Sequence, residues 1–237
     1  MTDGQSTTYE GHIGRRPLIN RTAEIEALPR HERKKIQTRE RIYRAALKLF
    51  AERGLTATTV DQITEEADIG KGTFFNYFRS KEEIFGLFIQ IQHATLAEAA
   101  EEARGRDKSL HDILHRLFKS LGEEMGCCPR LARAMVAAIL GNEAARETVA
   151  AGMSEGRRVL AAILRRGQRR GEVRNDRDAH AMSRGFQQAL FGTLVIWAVR
   201  PQDKLETLLD ASFEDYWKCT TALDVKKSKP NQEESHE

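Results

Sequence analysis

Residues 54–85 have the sequence GLTATTVDQITEEADIGKGTFFNYFRSKEEIF, and this stretch decides the fold. A short helix is predicted to begin after Thr59, because Gln62 follows it at the spacing of a capping box. This helix ends near Ala67–Asp68, where a tight turn begins. A second short helix is predicted over residues 71–78. Two short helices joined by such a turn are the pattern of a helix-turn-helix.

The second of these helices carries side chains that suit DNA. Phe74 and Phe78 are predicted to face the core, which leaves the polar residues between them on the outside. Lys71 lies at the start of the helix, where it suits a phosphate or a guanine. Asn76 can bond the edge of an adenine at two points. Tyr77 offers a phenolic hydroxyl to a phosphate.

Four neighbouring residues bear on the same interpretation. Gly72 has no side chain and lets the backbone approach a sugar-phosphate chain closely, and Thr73 can bond a base or pack on a thymine methyl. Lys81 lies at the start of the next helix, where free N–H groups also attract phosphate. The alternative is that all these polar groups form the solvated side of an amphipathic helix. That alternative gives no reason for Phe75 to face outward.

A basic helix is predicted before this region, over residues 32–53, and Gly54 ends it. From residue 31 to residue 79 there are 10 Lys/Arg and 7 Asp/Glu, so this stretch carries +3, as much as the whole chain. Two interpretations stay open: a surface that faces phosphates, or a solvated helix face. The basic residues cluster at Arg33, Lys34, Lys35, Arg39, Arg41 and Arg44.

The rest of the chain is predicted to be helical as well. Only 5 Pro occur in 237 residues, and no run of alternating β-branched residues indicates a sheet. Ser80 and Glu83 have the spacing of a capping box and are predicted to open a long helix that reaches about residue 104. Further helices are predicted over residues 109–122, 129–140, 144–170, 178–199 and 202–223. The sequence therefore predicts an all-α fold.

The bulk composition indicates a cytoplasmic protein without membrane contact. The three cysteines include the adjacent Cys127 and Cys128 and make no disulfide framework, which indicates a reducing compartment. The longest apolar stretch, residues 190–199, is far shorter than the ~18 residues that span a membrane. The N-terminal residues lack the apolar core of a signal peptide.

Two other classes of protein are considered. An enzyme is not expected, because the sequence has no glycine-rich phosphate loop, no recognisable nucleophile elbow and no complete metal cluster. His111 and His115 lie four residues apart, but no further ligand follows at a suitable spacing, so neither a metal nor another cofactor is predicted. A non-specific, chromosome-organising DNA protein would be broadly basic, whereas the last 14 residues are mixed in charge.

The stretch from residue 54 to residue 85 closely resembles the N-terminal domain of TetR-family transcriptional regulators. With the preceding helix the resemblance covers roughly a fifth of the chain, and its motifs are specific: the turn, the Lys-Gly-Thr run, the aromatic cluster and the Ser-Lys-Glu segment. Asp68 stands where the family commonly has Gly, and Gly70 stands where it has Ser or Thr, so Gly70 has no hydroxyl to offer a phosphate. The resemblance implies that these residues lie at the DNA: Thr59, Lys71, Gly72, Thr73, Phe75, Asn76, Tyr77 and Lys81.

The resemblance also implies dimerisation through the last two long helices and a small ligand within the C-terminal domain. Small residues along the helix at 178–199 would allow close helix approach at a two-fold interface; an ordinary monomer core is the alternative. The predicted interface consists of Ala181, Gly185, Gly192, Leu209, Phe213 and Trp217. A mixture of apolar bulk and a few polar groups is typical of a ligand site. The predicted ligand contacts are Phe88, His93, His115, Phe118, Met125, Met135, Gln187 and Phe191.

The sequence thus predicts a homodimeric regulator, a repressor, that binds double-stranded operator DNA with palindromic symmetry. A small-molecule effector, partly apolar, is expected to release it; a DNA-binding protein without such an inducer is the alternative. The predicted segments are a flexible arm over residues 1–30, a three-helix helix-turn-helix DNA-binding domain over 31–80, a helical ligand-binding and dimerisation domain over 81–223, and a disordered tail over 224–237.

Overall fold

The computed structural model of the chain describes residue 26, residues 28–126 and residues 128–221. Within these ranges the chain forms helices joined by short turns, so the predicted all-α fold is confirmed. The bounds are α1 Arg30–Ala57, α2 Val60–Glu66, α3 Lys71–Phe75, α4 Glu83–Glu102, α5 Leu110–Met125, α6 Pro129–Gly141, α7 Glu143–Arg170, α8 Ala179–Val199 and α9 Leu205–Thr220.

Helix α1 is interrupted at Gly54, close to the predicted stop. Gly54 has φ 80° and ψ 164°, a backbone conformation that side chains with a Cβ rarely adopt. Beyond it, the buried Thr58 hydroxyl donates to the Gly54 carbonyl at 2.8 Å and closes the end of the helix. The kink therefore sets the angle at which the chain enters α2.

The chain has one hydrophobic core around α1 and another around α8 and α9. The first is built from α1, α2, α3, the first half of α4, α6 and the start of α7. The second is built from the end of α4, α5, α7, α8 and α9. The predicted DNA-binding segment, residues 31–80, thus shares its core with α4 and α6, because Ile91 and Leu131 pack into the same cluster as Phe50.

Two predicted helix starts are wrong. Helix α4 begins at Glu83, not at the predicted capping box, because the Glu83 carboxylate accepts from the Arg79 N–H at 2.7 Å and not from Ser80. Helix α9 begins at Leu205 and not at the predicted residue 202, because residues 201–203 form a turn. Residue spacing alone does not fix where a helix starts to within two or three residues.

Some predictions fall on parts of the chain that the structure does not describe. These parts are residues 1–25 and 27 of the predicted arm, Cys127, and the predicted tail over 224–237. Among the described helices, none combines the length and the apolar character that crossing a bilayer requires.

Candidate nucleic-acid interface

Helix α2 begins with the predicted capping box. The Thr59 hydroxyl accepts from the Gln62 N–H at 3.2 Å, and the Gln62 side chain accepts from the Thr59 N–H at 3.0 Å. Two of the unpaired donors at the helix start are thereby satisfied. The cap fixes Thr59 at the exposed edge of the helix-turn-helix, with its hydroxyl proton still available to an acceptor.

The turn between α2 and α3 is built around Asp68. This residue has φ 50°, the left-handed conformation that Asp adopts more readily than most residues. The Ile69 N–H returns to the Thr64 carbonyl at 3.0 Å and closes the turn. Gly70 then caps α3 through its backbone, without a side-chain hydrogen bond.

Helix α3 is one short segment held by a single anchor. Phe74 is fully buried in the first core, and Phe75 packs edge-on against it with 48% of its surface exposed. Asn76 is exposed just beyond the helix, whereas Tyr77 is half-buried and packs on the core. The predicted outward position is therefore correct for Phe75 and Asn76 and only in part for Tyr77. Lys71 and Gly72 are exposed and Thr73 is half-buried.

Lys71 forms an ion pair with Asp61, a contact that the sequence does not predict. Its Nζ lies 2.7 Å from Asp61 Oδ1, and both side chains are largely exposed. Asp61 is in the first turn of α2, where the helix dipole favours a negative charge. A phosphate at Lys71 would have to compete with this carboxylate. The two residues are ten positions apart in the sequence and lie on different helices, so only the tertiary structure shows the pair.

We expect Asp61→Asn to raise the affinity for DNA. The substitution frees the Lys71 ammonium and removes a negative charge next to it. Exposed pairs of this kind are worth about 0.2–1 kcal/mol, which is about 1.4- to fivefold in affinity. Gel-shift titration of both proteins at low salt measures the change. The control is Glu65→Gln, which removes an exposed charge of the same sign from the same helix. Equal affinities of Asp61→Asn and the parent protein would contradict this role of the ion pair.

The Lys81 side chain is held by backbone carbonyls and does not simply face solvent. Its ammonium donates to three backbone carbonyls at the end of α1: Leu55 at 2.7 Å, Thr56 at 3.2 Å and Thr58 at 2.7 Å. An ammonium has three donors, so these contacts use all of them. Lys81 therefore ties the segment before α4 to the kinked end of α1. Its predicted contact with phosphate stays a prediction, and a phosphate would have to replace one of these carbonyls.

The basic residues of α1 divide into two groups. Arg39 donates to Gln90 Oε1 at 3.2 Å and lies over the Phe78 ring at 5.8 Å, so it connects α1 to α4 and to the end of the helix-turn-helix. Arg44 is bonded to Glu40 one turn earlier. Lys34, Lys35 and Arg41 are exposed along the same helix. The interpretation as a solvated helix face thus fits Arg44, whereas the exposed side chains of Lys34, Lys35 and Arg41 are open to phosphate.

In the C-terminal part, the structure brings two of the predicted ligand contacts together. His93 Nε2 lies 2.9 Å from the Gly152 carbonyl, and the Gln187 amide donates to the Met153 carbonyl at 2.9 Å. A Cβ placed on Gly156 would lie 3.6 Å from Gln187 Nε2 and 4.0 Å from His93 Nε2. Both side chains therefore meet over the same turn of α7, one from α4 and one from α8. Arg157 also donates to Gln187, at 3.2 Å.

The other predicted ligand contacts do not form one site with this pair. Phe88 and Met135 are buried in the first core, and Phe118 is buried in the second. Met125 packs on both cores. Phe191 is half-buried on α8. Their apolar character is thus used largely for packing between helices.

His115, predicted as a ligand contact, lies on the face of α5 that packs against α9. Its Nε2 is 2.8 Å from Asp210 Oδ1, and its ring stacks on Phe213 at 4.9 Å. His111, one turn earlier, is 2.9 Å from Glu214 Oε1, and Lys119, one turn later, is 2.9 Å from Glu206 Oε1. The three α5 residues therefore face three acidic residues of α9 at four-residue steps. We call this set the α5–α9 ladder.

The ladder makes stability depend on pH through His111. Partial burial lowers the pKa of His111, but hydrogen bonds and charge from Asp112 and Glu214 outweigh it and raise the pKa above its ordinary value. Phe213, Trp217 and His115 surround the same ring. Because the folded-state pKa of His111 is raised, its contribution to the free energy of unfolding is fully present below the unfolded pKa. That contribution is lost as pH rises through the folded pKa.

We therefore expect the free energy of unfolding to fall more steeply between about pH 6 and pH 8 in the parent protein than in His111→Gln. The difference should be about 0.5 kcal/mol, since the imidazole is one-third exposed and screened. Urea unfolding at several pH values measures it. His31→Gln is the control, because His31 is exposed at the start of α1. Parallel pH profiles for the parent and His111→Gln would contradict this role.

Two predicted dimer contacts are corrected by the fold. Leu209 and Phe213 are fully buried inside the chain, where Leu209 fills the space beside Gly122, so neither is accessible to a second subunit. Trp217 stacks on Phe213 and contacts His111, but its side chain is only half-buried, so its predicted dimer contact stays a prediction. Helical periodicity identified the apolar residues of α9 but does not show which of them the chain itself covers.

The remaining predicted contacts lie on a surface formed by α8. Ala181 is exposed, and Gly192 has open space beside its Cα. The helix continues outward with Ile196, 67% exposed, and Val199, 69% exposed, neither of which was predicted as a contact. Gly185, Ala189, Gly192, Ile196 and Val199 follow each other at steps of four and three residues, so they share one face. We call these five residues the α8 stripe.

The class of protein follows from these features. The helix-turn-helix is anchored by Phe74, exposes polar residues of α3, and is fused through α4 to a larger helical part. This is the architecture of a helix-turn-helix DNA-binding protein with an appended helical domain. Residues 42–87 match the family model described as "Bacterial regulatory proteins, tetR family". Residues 42–87 of the chain are thus similar to the DNA-binding region of this family.

Relatives in sequence agree with this assignment. The HTH-type transcriptional regulator YhgD of Bacillus subtilis is 33% identical over 88 residues, which cover 37% of this chain and 46% of YhgD. The matched stretch thus spans less than half of that relative. The transcriptional regulator AcuR of Cereibacter sphaeroides is 28% identical over 152 residues, which cover 61% of this chain and 69% of AcuR.

Solved structures share the fold over most of the chain. SmeT, the repressor of the Stenotrophomonas maltophilia multidrug efflux pump SmeDEF, superposes with a TM-score of 0.63 at 20% identity, over 78% of this chain and 91% of SmeT. A complex of SmeT with triclosan superposes with a TM-score of 0.64 at 21% identity, over 85% of this chain and all of that chain. At this identity the likeness shows a common fold.

Proposed function

We propose that the protein is a repressor that binds a palindromic operator as a homodimer and releases it when a small, partly apolar molecule binds. The observation that carries the proposal is the placement of α3. Its one buried anchor, Phe74, holds Lys71, Phe75 and Asn76 at the surface. A recognition segment must present base-reading and phosphate-binding groups on one exposed edge.

A dimer is proposed because one such segment reads only half of a site. Two helix-turn-helix units related by two-fold symmetry bind half-sites about one DNA turn, ~34 Å, apart. The α8 stripe offers the second chain an apolar helix face with small residues at its centre. Isologous packing of two such faces would give the symmetry that a palindrome requires.

The effector is proposed to bind near His93 and Gln187, where α4, α7 and α8 meet. These polar groups stand beside the small Gly156, next to the half-buried Met153. Because α4 directly follows the DNA-binding segment, a ligand that shifts α4 against α7 would change the separation of the two recognition segments. The structural neighbour SmeT has been solved as a complex with triclosan, which supports the proposal of a small-molecule site.

The test is a gel-shift titration of the protein against the promoter DNA next to its own gene, with random DNA as competitor. We expect a specific complex that weakens as salt rises, because phosphate contacts release counterions. Equal affinity for random and promoter DNA would favour a non-specific DNA protein. Absence of any salt-sensitive complex would refute DNA binding. Native mass spectrometry of the purified protein then searches for a bound small molecule.

Asn76→Ala tests the proposed base reader. If Asn76 bonds an adenine edge, the substitution should cost about 1–3 kcal/mol of binding free energy and relax specificity at one position of each half-site. Binding to a set of operators with single base changes measures both effects. Asn175→Ala, at an exposed asparagine between α7 and α8, is the control for an unrelated amide loss. A uniform loss over all operators would instead identify a phosphate contact.

A further inference from the structure

A groove of about 290 Å³ lies between the end of α4 and the middle of α7. Its floor is apolar and is formed by Ala100 of α4 with Val159, Ala162 and Ile163 of α7. None of the predicted effector contacts lines it. Ala162 and Ile163 lie three and four residues after Val159, so the three side chains share one helix face.

The rim of the groove carries three guanidinium groups and one carboxylate. These belong to Arg104, two residues after α4, and to Arg158, Arg166 and Glu155 of α7. Arg158 is paired with Glu155 at 2.6 Å and Arg104 with Glu101 at 3.1 Å, and exposed pairs of this kind are weak. The Arg166 guanidinium is half-buried and reaches across the groove to the Ala100 carbonyl at 3.4 Å. The rim therefore keeps an excess of positive charge over an apolar floor.

We propose that this groove binds a small amphipathic carboxylate, a molecule with one carboxylate head and a short alkyl chain. The arginine fork matches the two oxygens of a carboxylate and can bind them with two parallel hydrogen bonds. The alkyl chain covers the floor residues, which lose water when they are covered. A wholly polar anion gains nothing from this floor, and a cationic amphiphile is repelled by the rim. The volume lies at the lower end of the range for ligand pockets, which limits the chain to a small size.

Octanoate is the probe, added to the full-length protein without DNA. Isothermal titration should give saturable binding, and the methyl resonances of Val159 and Ile163 should shift with the same saturation. Each buried methylene should strengthen binding about fourfold, so hexanoate should bind more weakly than octanoate by roughly an order of magnitude. Octylammonium should not bind in the same range.

Two variants and a matched control locate the site. Arg158→Gln removes a rim charge and should weaken octanoate by about 10- to 100-fold, the usual effect of losing a hydrogen bond to a charged group. Ala162→Trp places a large ring on the exposed floor and should block binding. Arg146→Gln is the control: Arg146 lies on the same helix and is paired with Glu143 at 3.1 Å in the same i,i+3 arrangement, outside the groove.

The proposal is overturned if octanoate shows no saturable binding or if octylammonium binds equally well. It is also overturned if Arg158→Gln binds octanoate like the parent protein, or if Arg146→Gln is weakened to the same extent. Saturation that shifts other methyl groups but leaves Val159 and Ile163 unmoved places the binding elsewhere and has the same consequence. The measurements need no operator, so they stand apart from the proposed repressor function.

Discussion

Ile196→Glu should convert the proposed dimer into monomers and lower operator affinity by about 100- to 10,000-fold, the range expected when two linked half-site contacts become independent. Ile196 is the larger of the two exposed apolar side chains, Ile196 and Val199, at the C-terminal end of the α8 stripe. A glutamate there would bring two like charges into an apolar two-fold contact, where neither could keep its hydration. Sedimentation velocity measures the mass, and fluorescence anisotropy with a full operator measures the affinity.

Leu140→Glu is the control for this experiment. Leu140 is 74% exposed at the end of α6, so the substitution removes a similar side chain from a different surface. This variant should remain dimeric and should bind the operator like the parent protein. Circular dichroism establishes that both variants are folded. If folded Ile196→Glu remains dimeric, the two-fold interface does not involve the α8 stripe.

Lys81→Met should destabilise the protein by about 2–4 kcal/mol, because three carbonyls at the end of α1 lose charge-assisted hydrogen bonds. Methionine keeps the unbranched apolar chain and removes the ammonium. Since the lost contacts fix the connection between α1 and α2, operator affinity should fall as well, by roughly tenfold if recognition geometry is loosened. Urea unfolding and anisotropy titrations at several salt concentrations measure the two effects.

The salt dependence separates two roles for Lys81. If Lys81 positions the backbone, Lys81→Met lowers both stability and affinity but leaves the slope of log K against log salt unchanged. If Lys81 contacts a phosphate, the substitution lowers that slope by about one and leaves stability nearly intact. Lys71→Met is the matched control, since Lys71 is exposed and has only the weak pair with Asp61. A stable Lys81→Met protein with a reduced slope would show that Lys81 acts on phosphate.

Local sequence was sufficient for the elements that depend on neighbouring residues. The cap at Thr59, the stop near Gly54 and the α5 start at Ser109 all arise from contacts within four residues, and the structure has each of them. The start of α4 also depends on near neighbours, but its predicted position was wrong. There the Glu83 carboxylate accepts from the Arg79 N–H, one residue before the donor that the capping box would use, and spacing does not decide between the two donors.

Long-range pairings could not be predicted from the sequence. His111 and Glu214 are 103 residues apart, and Lys81 is 26 residues from Leu55. Such contacts exist only after helices have packed, and their free energies depend on distances that no residue pattern encodes. The same reason explains why His115, expected in a ligand site, instead faces Asp210 of α9.

The sequence by itself determined that the chain is helical, that residues 59–78 form a helix-turn-helix, and that Phe74 faces inward while Asn76 faces outward. These features follow from periodicity and capping, which act within one or two helical turns. Only the tertiary structure decided which apolar faces are already covered. Leu209 and Phe213 are enclosed by the chain's own helices, whereas Ile196 and Val199 are left exposed. An amphipathic pattern shows that a face avoids water, but the packing of the whole chain decides what covers it.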